Sequence, residues 1–279
     1  MQVQWYPGHM TKAKRMMQED MKLIDLVIEL LDARIPFSSR NPDIDDLAKG
    51  KSRLVLLNKS DLADPKRNEM WLDHFKKCGT IALLLDSKNR KGFAPINKAI
   101  EEACAAKIER DRKRGIKNRP VRAMVVGIPN VGKSTFINSL TRKASTKTGN
   151  RPGVTKGKQW IKLDKNVELL DTPGILWPRF ENEKIGMNIA YIGSVNDEIL
   201  DGTDLAMNLI EVLKVDYPGT INARYEVSEE DKTVTILENI AQKRGCLKKG
   251  GEVDYDKAAR IILDDFRSGK LGKLTLELP

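Results

Sequence analysis

Six short apolar runs punctuate the first two-thirds of the chain: Leu26–Leu31, Leu54–Leu57, Ile81–Leu85, Ala123–Val126, Trp160–Leu163 and Val167–Leu170. Each ends in a loop rich in turn-forming residues, as strands do. The first four are nearly unbroken rather than alternating, the pattern of strands buried on both faces. Between the runs the period lengthens to that of helices, over Thr11–Lys22, Pro65–Lys77, Pro95–Arg114 and Lys133–Thr141. Strands alternating with helices predict an α/β domain on a mostly parallel sheet. Beyond Gly174 the pattern changes, and Glu183–Ile192, Asp197–Val215, Val234–Arg244 and Tyr255–Ser268 read as helices with no convincing strand. The expected organisation is an α/β domain over residues 1–177 and a smaller all-α domain over 178–279.

Composition narrows the class. The 279 residues are 40% hydrophobic and 32% charged, which fits a globular protein with real cores. The longest apolar stretch, Leu23–Leu31, is broken by Asp25 and Glu29, so no membrane span is expected. The N-terminus lacks the apolar core of a signal peptide. Three dispersed cysteines, Cys78, Cys104 and Cys246, suggest no disulfide framework, and a reducing cytoplasm is the expected setting. The net charge of +10 is unevenly spread. Residues 1–178 hold 35 basic and 20 acidic side chains, and the remainder 14 and 19. The cationic surface therefore belongs to the α/β part, where it suits a polyanionic partner as well as it suits plain solvation.

Candidate chemistry sits at the ends of the apolar runs. Gly127-Ile-Pro-Asn-Val-Gly-Lys-Ser134 matches the full phosphate-loop pattern between a strand and a helix. Its glycines let backbone amides close around phosphate oxygens at a helix N-terminus. Asn130, Val131, Gly132, Lys133, Ser134 and Thr135 are the expected phosphate-binding residues. Lys133 would reach the β- and γ-phosphates, and Ser134 would bind Mg²⁺. Asn58-Lys-Ser-Asp61 follows another strand. One carboxylate, Asp61, can accept both the N1–H and the 2-amino group of guanine, and adenine would leave it unpaired. Asn58 would serve the purine's other edge and Lys59 would lie along the ring. Asp86-Ser87-Lys88 caps a third strand and could support the base through its backbone. Asp171-Thr-Pro-Gly174 closes the last strand: Asp171 would hold Mg²⁺ through water, and the Gly174 amide would meet the γ-phosphate. In the polar stretch between, Thr155 could complete the metal shell, with Thr146 and Thr148 as competitors.

These five elements resemble those of the Ras-like GTPases, but the two base-reading elements precede the three phosphate elements. That order resembles the circularly permuted GTPases, and closest the YlqF/RbgA ribosome-biogenesis family. Trp5-Tyr-Pro-Gly-His-Met10, Asp32-Ala-Arg-Ile-Pro36, Ser38-Ser-Arg-Asn41 and Pro152-Gly-Val-Thr155 add to the similarity. The resemblance implies a permuted P-loop GTPase domain with a helical C-terminal domain. It also implies GTP hydrolysis coupled to maturation of the large ribosomal subunit, with contacts to ribosomal RNA. In such a chain Gly174 leads directly into the helical domain. Nucleotide state is thus expected to be read out as a movement of that domain.

Ras-like enzymes orient water with a glutamine just after the aspartate–glycine turn, where this chain has Ile175. Permutation brings His9 just ahead of the switch II-equivalent helix, so its imidazole is the leading internal candidate to position water. A helix-capping or partner-contacting role is equally compatible. The loop's asparagine, Asn130, resembles those that help hold K⁺ over the phosphates. Slow intrinsic hydrolysis with acceleration by a partner follows from the missing glutamine. Lys107–Arg119 carries seven basic residues against two acidic, and with the charge asymmetry it is the expected RNA-phosphate contact. A monomer acting on ribosomal RNA is the expected state, against the alternative of a switch that binds a protein effector.

Overall fold

The computed structural model describes residues 17–116, 119–141, 159–163, 166–171, 182–195 and 201–279. Six strands form one sheet: β1 (Leu26–Asp32), β2 (Ser52–Asn58), β3 (Ile81–Leu84), β4 (Val121–Val126), β5 (Gln159–Lys162) and β6 (Val167–Asp171), in the order β3-β2-β1-β4-β6-β5. Every neighbouring pair is parallel except β5 with β6. The chain runs outward from β1 to β3, then returns to lay β4 on the other side of β1. That reversal opens a crevice between the carboxyl ends of β1 and β4, where open α/β sheets take their ligands.

The alternation of side chains along the strands sorts the core into two faces. Leu26, Ile28, Leu30, Leu54, Leu56, Ala123, Val125 and Leu169 turn to one face. They meet Ile96 and Ile100 of α3 (Ile96–Ala103) and Phe136 and Ile137 of α5 (Lys133–Thr141). On the other face Val27, Met124, Val126 and Leu170 lie under Met17, Met21, Ile24 and Ile44, the last from α1 (Asp43–Leu47). Leu31, Val55 and Leu57 lie under Trp71 and Phe75 of α2 (Pro65–Lys77). Double coverage explains why β1, Glu29 apart, and most of β2 read as apolar runs. β3, expected to be buried, is only half-buried because it forms the sheet edge. α2 begins where expected, with Pro65 in its first turn and the Asp64 carboxylate accepting from Lys66 N at 2.8 Å. His74 is half-buried against Trp71 and Phe75. The single helix expected over Pro95–Arg114 is two, α3 and α4 (Ala105–Lys113), divided at the buried Cys104.

Downstream, α6 (Glu183–Tyr191), α7 (Gly202–Asp216), α8 (Thr220–Tyr225), α9 (Thr233–Lys243) and α10 (Tyr255–Ser268) pack together. α8 follows a left-handed Gly219 and is too short to show a period in the sequence. The apolar core is continuous from the α3/α5 face of the sheet into these helices, through Leu209, Ile236, Ile262 and Phe266. After α10 the chain runs back as an extended strap. Leu274 N donates to Leu62 O at 3.0 Å and Leu276 N to Arg34 O at 2.7 Å. The boundary expected at 177/178 falls outside the described residues. No described helix is long and apolar enough to cross a membrane.

Candidate nucleotide site

Four strands that end in candidate motifs, β2, β3, β4 and β6, point their carboxyl ends the same way, so sheet geometry alone gathers the motifs at one rim. Asp32 at the end of β1 stands directly beside Asn58 at the end of β2. Asp171, at the end of β6, pairs with Val125 of β4, two residues before Gly127. The backbone of Asp171 therefore flanks the phosphate loop; its side chain lies outside the described residues.

The phosphate loop is shaped by what surrounds it. A Cβ on Gly127 would come within 2.5 Å of Leu30 O, the backbone of β1. Gly132 has φ +102°, and a Cβ there would come within 2.5 Å of Asn58 Nδ2. Gly127 is thus required by close approach to the backbone of β1, and Gly132 by its positive φ. Lys133, buried at the start of α5, donates to Gly127 O at 3.0 Å and Ile128 O at 2.9 Å. Its ammonium is held against the loop's own carbonyls. Ser134 and Thr135 follow in the first turn of α5.

The candidate base-reading residues are bonded to that loop. Asn58 donates through Nδ2 to Val131 O at 2.8 Å and accepts at Oδ1 from Ser87 N at 3.1 Å. One amide therefore bridges the phosphate loop to the loop after β3. Lys59 adopts a left-handed backbone, φ +57°, uncommon for a residue with a Cβ. Its ammonium donates to Asn130 O at 2.8 Å and pairs with Asp32 at 3.0 Å. Burial alone would raise the Asp32 pKa, but the Arg34 guanidinium and the Lys59 ammonium outweigh it. The carboxyl is held well below the usual range. Asp61 stands half-buried on the same turn, which Leu62 N closes onto Lys59 O at 2.9 Å.

Asp86 is buried and accepts from Asn89 N at 2.9 Å and Asn89 Nδ2 at 2.8 Å, so its carboxylate shapes the loop. Lys88 is exposed beside it. Ser87 is buried, and its hydroxyl has no hydrogen-bond partner among the described residues. An orphaned buried hydroxyl beside Asn58 is what a bound base could satisfy. Ser139 of α5 donates to Ser87 O at 2.7 Å, tying the base loop to the phosphate-loop helix. Ser139 carried no motif signal in the sequence, nor did Gly193 and Ser194. Asn130, itself left-handed at φ +58°, donates to Gly193 O at 2.5 Å, and Ser194 Oγ donates to Pro129 O at 2.6 Å. The turn after α6 thus grips the phosphate loop. Only three-dimensional proximity finds these partners. By contrast Asp32 and Arg34 stood in a visible motif whose partners the sequence did not name. The positions of His9, Thr155, Gly174 and Ile175 lie outside the described residues.

Comparison with known proteins places the chain in a family. A family model described as 50S ribosome-binding GTPase matches residues 122–244. Ribosome biogenesis GTPase A of Bacillus licheniformis is 47% identical over 280 residues, covering 100% of this chain and 99% of the relative. Its counterpart in Thermotoga maritima is 34% identical over 275 residues, covering 99% of this chain and 94% of the relative. Among solved structures, GNP-bound YlqF from T. maritima superposes with a TM-score of 0.69 at 28% identity, covering 96% of this chain and 98% of that one. A GDP-bound YlqF gives 0.70 at 28% identity, with 95% and 99% covered. Matches this long and this similar leave one conclusion: the chain belongs to the ribosome biogenesis GTPase A family, the YlqF family of circularly permuted GTPases.

Proposed function

We propose that this GTPase holds guanine nucleotide in the crevice between β1 and β4 and acts in assembly of the large ribosomal subunit by binding ribosomal RNA. The observation that carries the nucleotide site is the pair of bonds from Asn58 to Val131 O and from Lys59 to Asn130 O. They join the base-reading turn to the phosphate loop. In this reading Asp61 accepts from the two guanine donors, Lys59 lies along the ring, and the loop of Asp86, Ser87 and Lys88 lines the base. The amides of Asn130, Val131 and Gly132 and the Lys133 ammonium hold the phosphates. Lys133 exchanges its two carbonyl partners for phosphate oxygens, and Thr135 adds a contact at the start of α5.

Ser134 in the first turn of α5 and the proximity of the Asp171 backbone to β4 fit a Mg²⁺ site, with Thr155 as its third member. Mg²⁺, when bound there, neutralises charge on the β- and γ-phosphates. The Gly174 amide orients the γ-phosphate, and His9 positions the attacking water in place of the missing glutamine. Asn130 is the residue to help hold K⁺. The division at 177/178 makes the helical segment the mover that reports nucleotide state.

The RNA contact rests on exposed cations. Arg110, Arg112, Lys113 and Arg114 of α4 and the following turn are exposed, whereas Lys107 is spent on Asp25 at 3.4 Å and Asp111 at 3.1 Å. Lys248 and Lys249 are exposed in the helical segment. The working form is a cytoplasmic monomer on a ribosomal particle. Co-sedimentation with large ribosomal subunits in the presence of GDP or a non-hydrolysable GTP analogue tests this. The expected result is pelleting that depends on the nucleotide and weakens steeply with salt. Absence from the pellet in both nucleotide states would sink the proposal.

A further inference from the structure

A closed ring of polar contacts links the base-reading lysine to the helical segment and returns to the phosphate loop. It begins at Asp32, whose carboxylate accepts from Arg34 Nε at 2.9 Å and Nη2 at 2.8 Å, and pairs with Lys59 at 3.0 Å. The guanidinium, buried with its carboxylate, also donates through Nη1 to Phe266 O and Arg267 O, both at 3.3 Å. These are last-turn carbonyls of α10, where helix partial charge is negative and a cation is favoured. Arg267 continues the ring, donating from Nε to Tyr191 O at 2.9 Å and from Nη2 to Ala190 O at 2.9 Å, at the end of α6. The turn that follows α6 closes it, through Asn130 Nδ2 on Gly193 O and Ser194 Oγ on Pro129 O. The ring thus meets the nucleotide site at Lys59 and at the phosphate loop.

We propose that Asp32 and Arg34 are positioning residues that couple guanine nucleotide binding to the seating of α10 on the GTPase core. The sign follows from preorganisation. Lys59 adopts an unfavourable left-handed conformation, with Asp32 and Asn130 O holding its ammonium. A seated α10 holds Arg34 flat against Asp32, and so holds Lys59 where a base would stack. Loosening α10 releases Lys59 to other rotamers, and nucleotide must then bear the cost of ordering it. Linkage requires the reverse effect to be equal: nucleotide tightens the seat of α10. This route is distinct from the covalent one through Gly174. It rests on the proposed role of Lys59 at the base.

The test is titration of the full-length chain with a fluorescent GDP analogue, for wild type, Arg267→Ala, Arg34→Lys and Lys59→Ala. Arg267 bonds helix carbonyls remote from the base site. Lysine at position 34 keeps a positive charge by Asp32 but cannot bond both its oxygens and the α10 carbonyls together. Arg267→Ala and Arg34→Lys should each weaken GDP binding by about fivefold or more, the lower end of usual coupling. Adding Arg267→Ala to Lys59→Ala should cost nothing further. Amide exchange in the last turn of α10 should slow with GDP in wild type and not in Arg34→Lys. If Lys59→Ala weakens GDP but the two arginine variants bind within twofold of wild type, the coupling is wrong and the base site stands. If Lys59→Ala binds GDP like wild type, the base-site reading fails and takes the coupling with it. Should Arg267→Ala not fold, Arg34→Lys alone decides by the same criterion.

Discussion

In the proposed site a half-buried aspartate, Asp61, carries the choice of base, because no other residue on the Asn58–Asp61 turn offers two acceptor oxygens. Asp61→Asn replaces one acceptor with a donor, which faces a guanine donor. GDP affinity should fall by about a hundredfold, while a xanthine nucleotide, which carries an acceptor in place of the 2-amino group, should gain. Unchanged GDP affinity by calorimetry would remove Asp61 from the site. Glu29 makes a second prediction at this scale. It sits in the middle of β1, and burial pushes its carboxyl above the usual range despite Arg40 and Arg53 beside it. A raised folded pKa means that the native state binds the extra proton between the unfolded and folded values. Stability should therefore fall as pH rises through that window. Glu29→Gln should flatten the dependence of Tm on pH just above the ordinary carboxylate range; a slope equal to wild type contradicts the assignment. Residues that their own chemistry singles out, such as Asp61, Lys59 and Lys133, were legible in the sequence as candidates. Asp32, Ser139 and Ser194 were not, because their meaning lies in partners that sequence does not name.

Elements were legible where local pattern and tertiary environment agree. α2 and α5 have the residue ranges that their periodicity predicts, Pro65–Lys77 and Lys133–Thr141. β3 reads as a core strand because its side chains are apolar, but its place at the edge leaves it half-buried. The C-terminal strap had no signal at all. Leu274–Leu278 is too short for a period, and it is ordered by contacts with residues more than two hundred positions away. Its anchor is Glu277, whose carboxylate accepts from Phe37 N at 2.7 Å, Ser38 N at 3.0 Å, Asn188 Nδ2 at 2.9 Å and the Ser38 hydroxyl. Trp71 Nε1 adds a bond to Glu277 O at 3.2 Å. Glu277→Ala would take the acceptor from the buried Ser38 amide and hydroxyl and leave Asn188 Nδ2 only Ser38 Oγ, at a cost of about 3 kcal/mol or more. Urea unfolding should show a lower midpoint with an unchanged m-value. A midpoint equal to that of wild type would mean that the strap does not hold α2, α6 and the turn after β1 together.

For the whole molecule, the order of motifs was the most informative feature of the sequence. A sheet in which the fourth strand carries the phosphate loop, and stands between the first and the sixth, is the geometric form of that order. What motif order leaves open is how the helical segment rests on the nucleotide site. That depends on the continuous core and on the contacts of Arg34, Arg267 and Ser194. The cationic excess of the first two-thirds was visible as a sum. The structure divides it into cations that fold the protein, such as Lys107 and Arg34, and an exposed set on α4, of which Arg112 and Lys113 share only the exposed Glu109 among the described residues. A helical segment that contacts both the base turn and the phosphate loop suits an enzyme whose hydrolysis is completed on its target. The most direct measurement is therefore multiple-turnover GTP hydrolysis by the full chain, alone, with purified large ribosomal subunits, and with a cell lysate freed of RNA. The account predicts slow turnover alone, a clear acceleration with large subunits, and none with the lysate. Equal rates with and without subunits, or acceleration by the RNA-free lysate, would contradict it.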